Sequence, residues 1–375
     1  MSDKFSLKDH LFNATTVEKL AAELLVAYPA FNSKSFTQTV LAKFPELELK
    51  ARIAWISETL KQHLPPNYPD ALAIVLAALP APCDPSKTDN DFGSFTYAAY
   101  GDFVAKNGCT KPHLTQSLEA LKAITTRFSA EDAIRPFLNA FPNETLAVLK
   151  HWTQDKHYHV RRLVSEGTRP KLPWAPKIFL DPRQALPLLD ALFADSTRYV
   201  TRSVANHLND IAKLDPGLVL KTLDRWQTSK RQTPAEMAYL CRHALRGLIK
   251  AGHADTLRFL NYSPEAQVSL SHFSLEKSVV KIGEALVFSL ELRAQKAERV
   301  VVDYVLHFQN KAGEMASKKV YKLTECTLQK GEPQCFSKRH PLRANMTTRP
   351  LFPGAHRVDI QINGQCLGSL DFELI

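Results

Sequence analysis

One tract in this chain returns twice at a constant step. His159-Val160-Arg161-Arg162-Leu163-Val164-Ser165-Glu166 is followed forty residues on by Tyr199-Val200-Thr201-Arg202-Ser203-Val204, and forty beyond that by Tyr239-Leu240-Cys241-Arg242-His243-Ala244. Arg162, Arg202 and Arg242 hold one register, as do Val160, Val200 and Leu240; Asp155 and Asp195 share the same offset. Each copy follows a leucine-rich helical run closed by a polar turn. A unit of that size cannot bury its own apolar face, so copies must stack. The second helices then line one wall, and arginines in register project from it together. Such a wall favours a polyanion, and the formal net charge of +10 agrees.

The step and the helix-turn-helix pattern are those of HEAT-like repeats, expected here as a solenoid over residues 1–263. Near Asn261-Tyr262-Ser263-Pro264 the apolar period changes from helical to two. Leu286, Phe288, Leu290 and Leu292 alternate, then Val300 to Phe308, Val358 to Ile362 and Leu370 to Leu374. Asn363-Gly364 between the last two runs predicts a tight primed hairpin. Residues 271–375 therefore read as a β-sandwich resembling an immunoglobulin or fibronectin type III module without its cysteine pattern. The fold class is mostly α, a helical solenoid followed by that sandwich.

Within the first part, residues 14 to 62 read as helices, with Thr15-Thr16-Val17-Glu18 as a capping start and Trp55 in the core. Leu64 to Asp70 reads as a loop before a helix from Ala71. Ala81 to Lys111 changes character: a polar stretch, Ser86 to Asp91, leads into the aromatics Phe92, Phe95, Tyr97, Tyr100 and Phe103. These either plug the solenoid or stack on bases. Ser129 is a natural N-cap that would place Glu131 and Asp132 in a first helical turn, where both acids have a ready explanation as dipole partners. Three prolines in Pro170-Lys171-Leu172-Pro173-Trp174-Ala175-Pro176 forbid helix and make a stiff loop carrying Arg169, Lys171 and Trp174.

Forty-five per cent hydrophobic residues with interspersed charge describe an ordinary folded chain. The opening Met1 to Asp9 has no apolar stretch of the signal-peptide kind and no later run suits a membrane span, so a soluble cytoplasmic protein is expected. Cys83, Cys109, Cys241, Cys326, Cys335 and Cys366 form no C-x-x-C pair, so neither metal nor disulfide framework is suggested. Phosphate-loop, dinucleotide, zinc-protease and serine-nucleophile motifs are absent, and no cofactor is expected. What remains is carboxylates and aromatics on a basic wall. A carboxylate beside phosphate-binding arginines weakens that binding unless it has a task.

Three strings carry a resemblance: Ser129-Ala130-Glu131-Asp132-Ala133-Ile134-Arg135-Pro136-Phe137, Val160 through the proline-bounded Glu166-Gly167-Thr168-Arg169-Pro170-Lys171-Leu172-Pro173-Trp174, and Tyr199 to Lys213. They look like the HEAT-like alkylpurine DNA glycosylases, in particular the AlkC branch, some of whose members carry an immunoglobulin-like C-terminal module. The sister branch, AlkD, uses a W-x-x-x-D arrangement, and Tyr97 to Asp102 supplies no such tryptophan. The resemblance implies hydrolysis of the N-glycosidic bond of cationic alkylated bases, N3-methyladenine and N3-methylcytosine, in duplex DNA, without deep base flipping and by a monomer.

On that reading the catalytic candidates are Glu131, Glu166, Asp210 and Trp174, with Glu131 touching the nucleotide. Asp210 has the alternative of pairing with Lys213, and Trp174 that of packing on the next repeat. Phosphate contacts are expected from Arg161, Arg162, Arg169, Lys171, Arg202, Arg242 and Arg246, though Arg161 and Arg162 must diverge by about 100° on a helix. In the sandwich, Lys318, Lys319, Lys322, Lys330, Lys338, Arg339, Arg343 and Arg349 cluster, with Lys338 and Arg339 the leading candidates; solvation alone explains many of them. The other class of function is a non-catalytic nucleic-acid-binding or scaffold repeat protein.

Overall fold

The leucine-rich runs and polar turns give helices in the order α1 (Leu7–Leu11), α2 (Ala14–Ala27), α3 (Ser33–Lys43), α4 (Leu49–His63), α5 (Tyr68–Ala77), α6 (Ala98–Gly108), α7 (Leu114–Thr125), α8 (Arg135–Ala140), α9 (Pro142–Trp152), α10 (Tyr158–Gly167), α11 (Pro182–Leu192), α12 (Arg198–Ala212), α13 (Pro216–Ser229), α14 (Pro234–Lys250) and α15 (Ala254–Phe259). The structure, a computed structural model, describes residues 6–87, 92–344 and 350–375. Arg349, the end of the polar stretch before Phe92 and the first five residues lie outside these. The described chain packs as two units. One holds residues up to Leu214 with Thr222–Ala244; the other holds Asp215–Lys221 with Leu245–Ile375.

In the first unit the forty-residue step has a structural cause. Asp155 Oδ1 accepts the backbone N–H of His157 at 2.8 Å, just before α10, and Asp195 Oδ1 accepts that of Thr197 at 2.8 Å, just before α12. Each acid also receives a base from the preceding second helix: Lys122 reaches Asp155 at 2.9 Å and Arg161 reaches Asp195 at 2.5 Å. Arg198 and Glu236 continue the ladder. Between these rungs Val160, Leu163, Val164, Val200, Val204, Leu208 and Leu240 are buried. From α7 to α14 successive second helices are thus joined by apolar burial and one ion pair at each step.

Several local expectations are corrected. Asn13, not Thr15, caps α2, its side chain and that of Thr16 closing a reciprocal capping box. The helix expected from Ala71 starts at Tyr68, with Pro69 in its first turn. Trp55 is half-buried, its face covered by the Lys43 ammonium at 3.7 Å. Tyr97, Tyr100 and Phe103 are buried as a plug requires, while Phe92 is exposed.

The second unit carries strands β1 (Val268–Leu275), β2 (Val279–Val280), β3 (Ala285–Ala294), β4 (Glu298–Phe308), β5 (Ser317–Leu328), β6 (Gln334–Pro341), β7 (Gly354–Ile362) and β8 (Gln365–Leu374). They form a three-stranded sheet, β1-β3-β6, and a five-stranded sheet, β2-β8-β7-β4-β5. The alternating residues Leu286, Phe288, Leu290, Leu292, Val300, Val302, Leu306, Val358 and Ile360 fill the space between them. The Asn363-Gly364 turn has φ 46° and 85°, as a primed hairpin demands. A Cβ on Gly364 would sit 2.1 Å from the Gly252 Cα, so only glycine allows the approach. Asn363 is itself buried, accepting from Val301 N–H and donating to the Ser263 carbonyl, both at 2.8 Å.

Candidate active site

α10 ends in a way that sets the site. The last carbonyls of a helix lack partners, and a carboxylate there faces the negative end of the dipole. Here those carbonyls are all taken. Val164 O accepts the Thr168 hydroxyl at 2.7 Å, Ser165 O accepts His207 Nδ1 at 3.0 Å, and Gly167 O accepts Arg135 Nη1 at 3.0 Å. Arg135, fully buried, also binds the carbonyls of Arg169 and Pro176. Gly167 lies so close to Ile134 that a Cβ would come within 2.5 Å of its methyl, which lets the turn bearing Glu131 rest on the end of α10.

With its helix end neutralised, Glu166 can be buried. Its Oε1 receives Arg169 Nη1 at 2.5 Å and lies 3.7 Å from Arg162 Nη2; its Oε2 receives the Ser203 hydroxyl at 2.6 Å. Burial alone would raise its pKa, but the Arg162 and Arg169 guanidiniums with the Ser203 hydroxyl overcome that and hold it below the usual glutamate value. Arg169 passes its Nε to Asp210 Oδ2 at 3.0 Å. Arg162 passes its Nη1 to Glu131 Oε2 at 2.7 Å, and Ser129 donates to the same oxygen at 2.7 Å. Burial opposes the charge on Arg162, yet Glu131 and Glu166 keep its pKa above the ordinary one. Its guanidinium also lies 4.7 Å from the Tyr199 ring. Burial drives the Tyr199 phenol up to about 12, so it is un-ionised at neutral pH. Burial likewise lowers His207 to about 3, which leaves a neutral imidazole beneath the cluster.

The result is a continuous row, Glu131, Arg162, Glu166, Arg169, Asp210, from the turn before α8 to the end of α12. The side chains of Glu166 and Asp210 are 6% and 4% exposed, and that of Glu131 is 26% exposed, so solvent and any ligand meet Glu131 first. Sequence reasoning named all five members, but not their pairing. Arg162 and Arg169 were expected to bind phosphate; in the structure both guanidiniums pair with carboxylates. Arg161, expected to do the same, is bound to Asp195 and to the carbonyls of Asp155 and Lys156. Asp210 meets Arg169 in place of Lys213. Ser129 is no N-cap; α8 begins later, and the hydroxyl points to Glu131.

Trp174 stands 84% exposed on the proline loop, at φ 61°. Lys50, on α4, fixes it by binding its carbonyl while pairing with Asp132 at 2.6 Å. Lys171 is exposed. Arg202 is half-buried, 6.0 Å from the Tyr199 ring. Arg242 is exposed on the first unit; Arg246, half-buried, belongs to the second, as do Lys338 and Arg339 on the edge strand β6. Sequence reasoning missed Lys50, Arg135, Tyr199, Ser203 and His207 as parts of the site. Arg135, Tyr199, Ser203 and His207 stood within the recognised strings; Lys50 carries no local signal, its partners lying 82 and 124 residues away. Among the described residues no group of three His, Cys, Asp or Glu side chains is placed to hold a metal ion.

Stacked helical repeats that hold a row of carboxylates and guanidiniums, with an immunoglobulin-like sandwich, define the class of this protein. The family model described as the C-terminal Ig-like domain of the uncharacterised protein YhaZ matches residues 269–375. The chain is 32% identical over 368 residues to the uncharacterized protein YhaZ of Bacillus subtilis (strain 168), a span covering 97% of this chain and 98% of that one. It is also similar to the solved structure of the Pseudomonas fluorescens alkylpurine DNA glycosylase AlkC bound to DNA containing an abasic site analog. That match has a TM-score of 0.87 and 36% identity, and covers 99% of this chain and 100% of that one. The chain belongs to this family, the AlkC branch of the HEAT-like alkylpurine DNA glycosylase superfamily with a C-terminal immunoglobulin-like domain.

Proposed function

We propose that this protein is a DNA glycosylase that releases cationic alkylated bases, N3-methyladenine first and N3-methylcytosine second, from duplex DNA. The reading is supported by kinship with AlkC and carried by one observation: among three clustered acids, Glu131 alone is appreciably open, and it is braced by Ser129 and Arg162 over a buried ionic row. An N3-alkylated adenine already bears positive charge, so its bond to C1′ breaks without a general acid, and positive charge develops on the sugar. A preorganised carboxylate beside C1′ stabilises that charge, by analogy with glycoside hydrolysis. Water adds to C1′, its proton passes to Glu131, and the base leaves neutral.

Glu166 and Asp210 act beneath it: they neutralise Arg162 and Arg169, so that Glu131 faces the sugar without a surplus of positive charge behind it. Trp174 lies against the sugar or base. Lys171, Arg202, Arg242 and Arg246, with Lys338 and Arg339 of the sandwich, contact phosphates, and the duplex is gripped and bent without swinging the base into a deep cavity. The test is to incubate the full-length protein with N-methylated DNA and quantify free N3-methyladenine. Binding with no release above the spontaneous rate would reduce it to a nucleic-acid-binding protein.

A further inference from the structure

The proline loop exposes a second aromatic that the site above does not use. Phe179 is 85% exposed, yet its backbone is tightly held. Its N–H donates to Asn139 Oδ1 at 3.0 Å, and Asn139 Nδ2 donates to the Lys177 carbonyl at 2.9 Å. Arg135 binds the carbonyl of Pro176, and Lys50 that of Trp174. From Lys177 to Leu180 burial alternates, Ile178 and Leu180 being partly covered and Lys177 and Phe179 open, so a cation and an aromatic ring share the outer face. Residues 168–180 contain no acid. Among the described residues neither Lys171 nor Lys177 has an ion-pair partner, whereas the guanidinium of Arg169 is consumed by Glu166 and Asp210.

We infer that Phe179 and Lys177 form a second DNA contact on this loop, in addition to Trp174, the ring pressing on a base or sugar and the ammonium on the adjoining phosphate. A solitary exposed apolar residue means little. A phenylalanine fixed by hydrogen bonds on both sides, in phase with an uncompensated lysine, complements a polyanion with apolar faces. Because the backbone is already ordered, contact costs little conformational entropy. The inference rests on the glycosylase reading only for the choice of DNA, and binding is measured apart from catalysis.

The experiment is fluorescence anisotropy of the full chain with a duplex containing a central tetrahydrofuran abasic analogue. Phe179→Ala is expected to weaken binding about tenfold, within the range of one lost base–aromatic stack, and Phe179→Trp to retain it. Lys177→Ala is expected to reduce the slope of log affinity against log salt by about one. The side chain is exposed, so unchanged thermal melts identify correctly folded variants. Unchanged affinity in Phe179→Ala overturns the inference, as does a Phe179-dependent dimer, seen by sedimentation velocity, with DNA affinity intact. A wild type that binds and loses affinity in Phe179→Ala, but releases no methylated base, leaves this contact standing and removes the glycosylase reading. A wild type that does not bind the duplex removes both.

Discussion

Two acids in one row invite opposite experiments. Glu131→Gln keeps the hydrogen bond from Ser129 and the volume of the side chain but removes the charge. Excision is expected to fall at least 100-fold with duplex affinity within about twofold, measured as single-turnover base release beside anisotropy; equal losses in both would show a structural residue. Glu166→Gln strips the counter-charge from two buried guanidiniums, and it is expected to destabilise the fold by about 3 kcal/mol in urea at pH 7. Because the folded carboxyl titrates below its ordinary value of 4.5, the stability it supplies is complete above about pH 4.5 and is lost as pH falls through the folded pKa. Wild type and Glu166→Gln should therefore converge in stability on acidification. A difference that stays constant from pH 7 to pH 3 would refute the assignment.

The elements around that row explain what could be read in advance. The repeats, the sandwich and the hairpin turn were legible because each rests on periodicity or on local backbone demands: Asn363 and Gly364 take positive φ wherever they are placed in such a turn. The five members of the ionic row were legible because they stand in short strings. Their pairing was not, since Arg162 chooses among phosphate, Glu131 and Tyr199 by three-dimensional proximity that no spacing encodes. The same holds for Arg161, whose partner Asp195 is thirty-four residues ahead. The end of α10 shows the same: a carboxylate at a helix C-terminus opposes the dipole, and only the folded chain brings Arg135, Thr168 and His207 to the carbonyls there. Arg135→Ala removes one guanidinium from three carbonyls, those of Gly167, Arg169 and Pro176. It is expected to cost about 2–4 kcal/mol and to open the proline loop to limited proteolysis. A loop as resistant as that of wild type would show that Lys50 and Asn139 suffice to hold it.

At the level of the whole chain, the change of hydrophobic period near Ser263 does not coincide with the division between the two packed units. Residues Leu245–Ile375 pack together, so the end of α14 and all of α15 share a unit with the sandwich. Leu257 and Tyr262 are buried against Val301 of β4, and Ile249 and Leu260 lean on the same cluster. Tyr262 also donates to Glu325, which Arg299 and Lys322 hold at 2.7 Å each. Cutting the chain before Ser271 removes Val301 and Glu325 together and leaves the Tyr262 ring and the aliphatic side chains of Leu257, Ile249 and Leu260 uncovered, a loss of about 3 kcal/mol from apolar burial alone. The truncated chain is therefore expected to melt lower than the full protein and to bind a hydrophobic dye, even before DNA is added. A loss of base release in that truncation then speaks to DNA contact by the sandwich only if Lys338→Ala with Arg339→Ala, in the full chain, lowers the salt dependence of binding by about two while leaving the melt unchanged. A double variant that binds with an unaltered salt slope would place the role of the sandwich in supporting α15, not in touching phosphate.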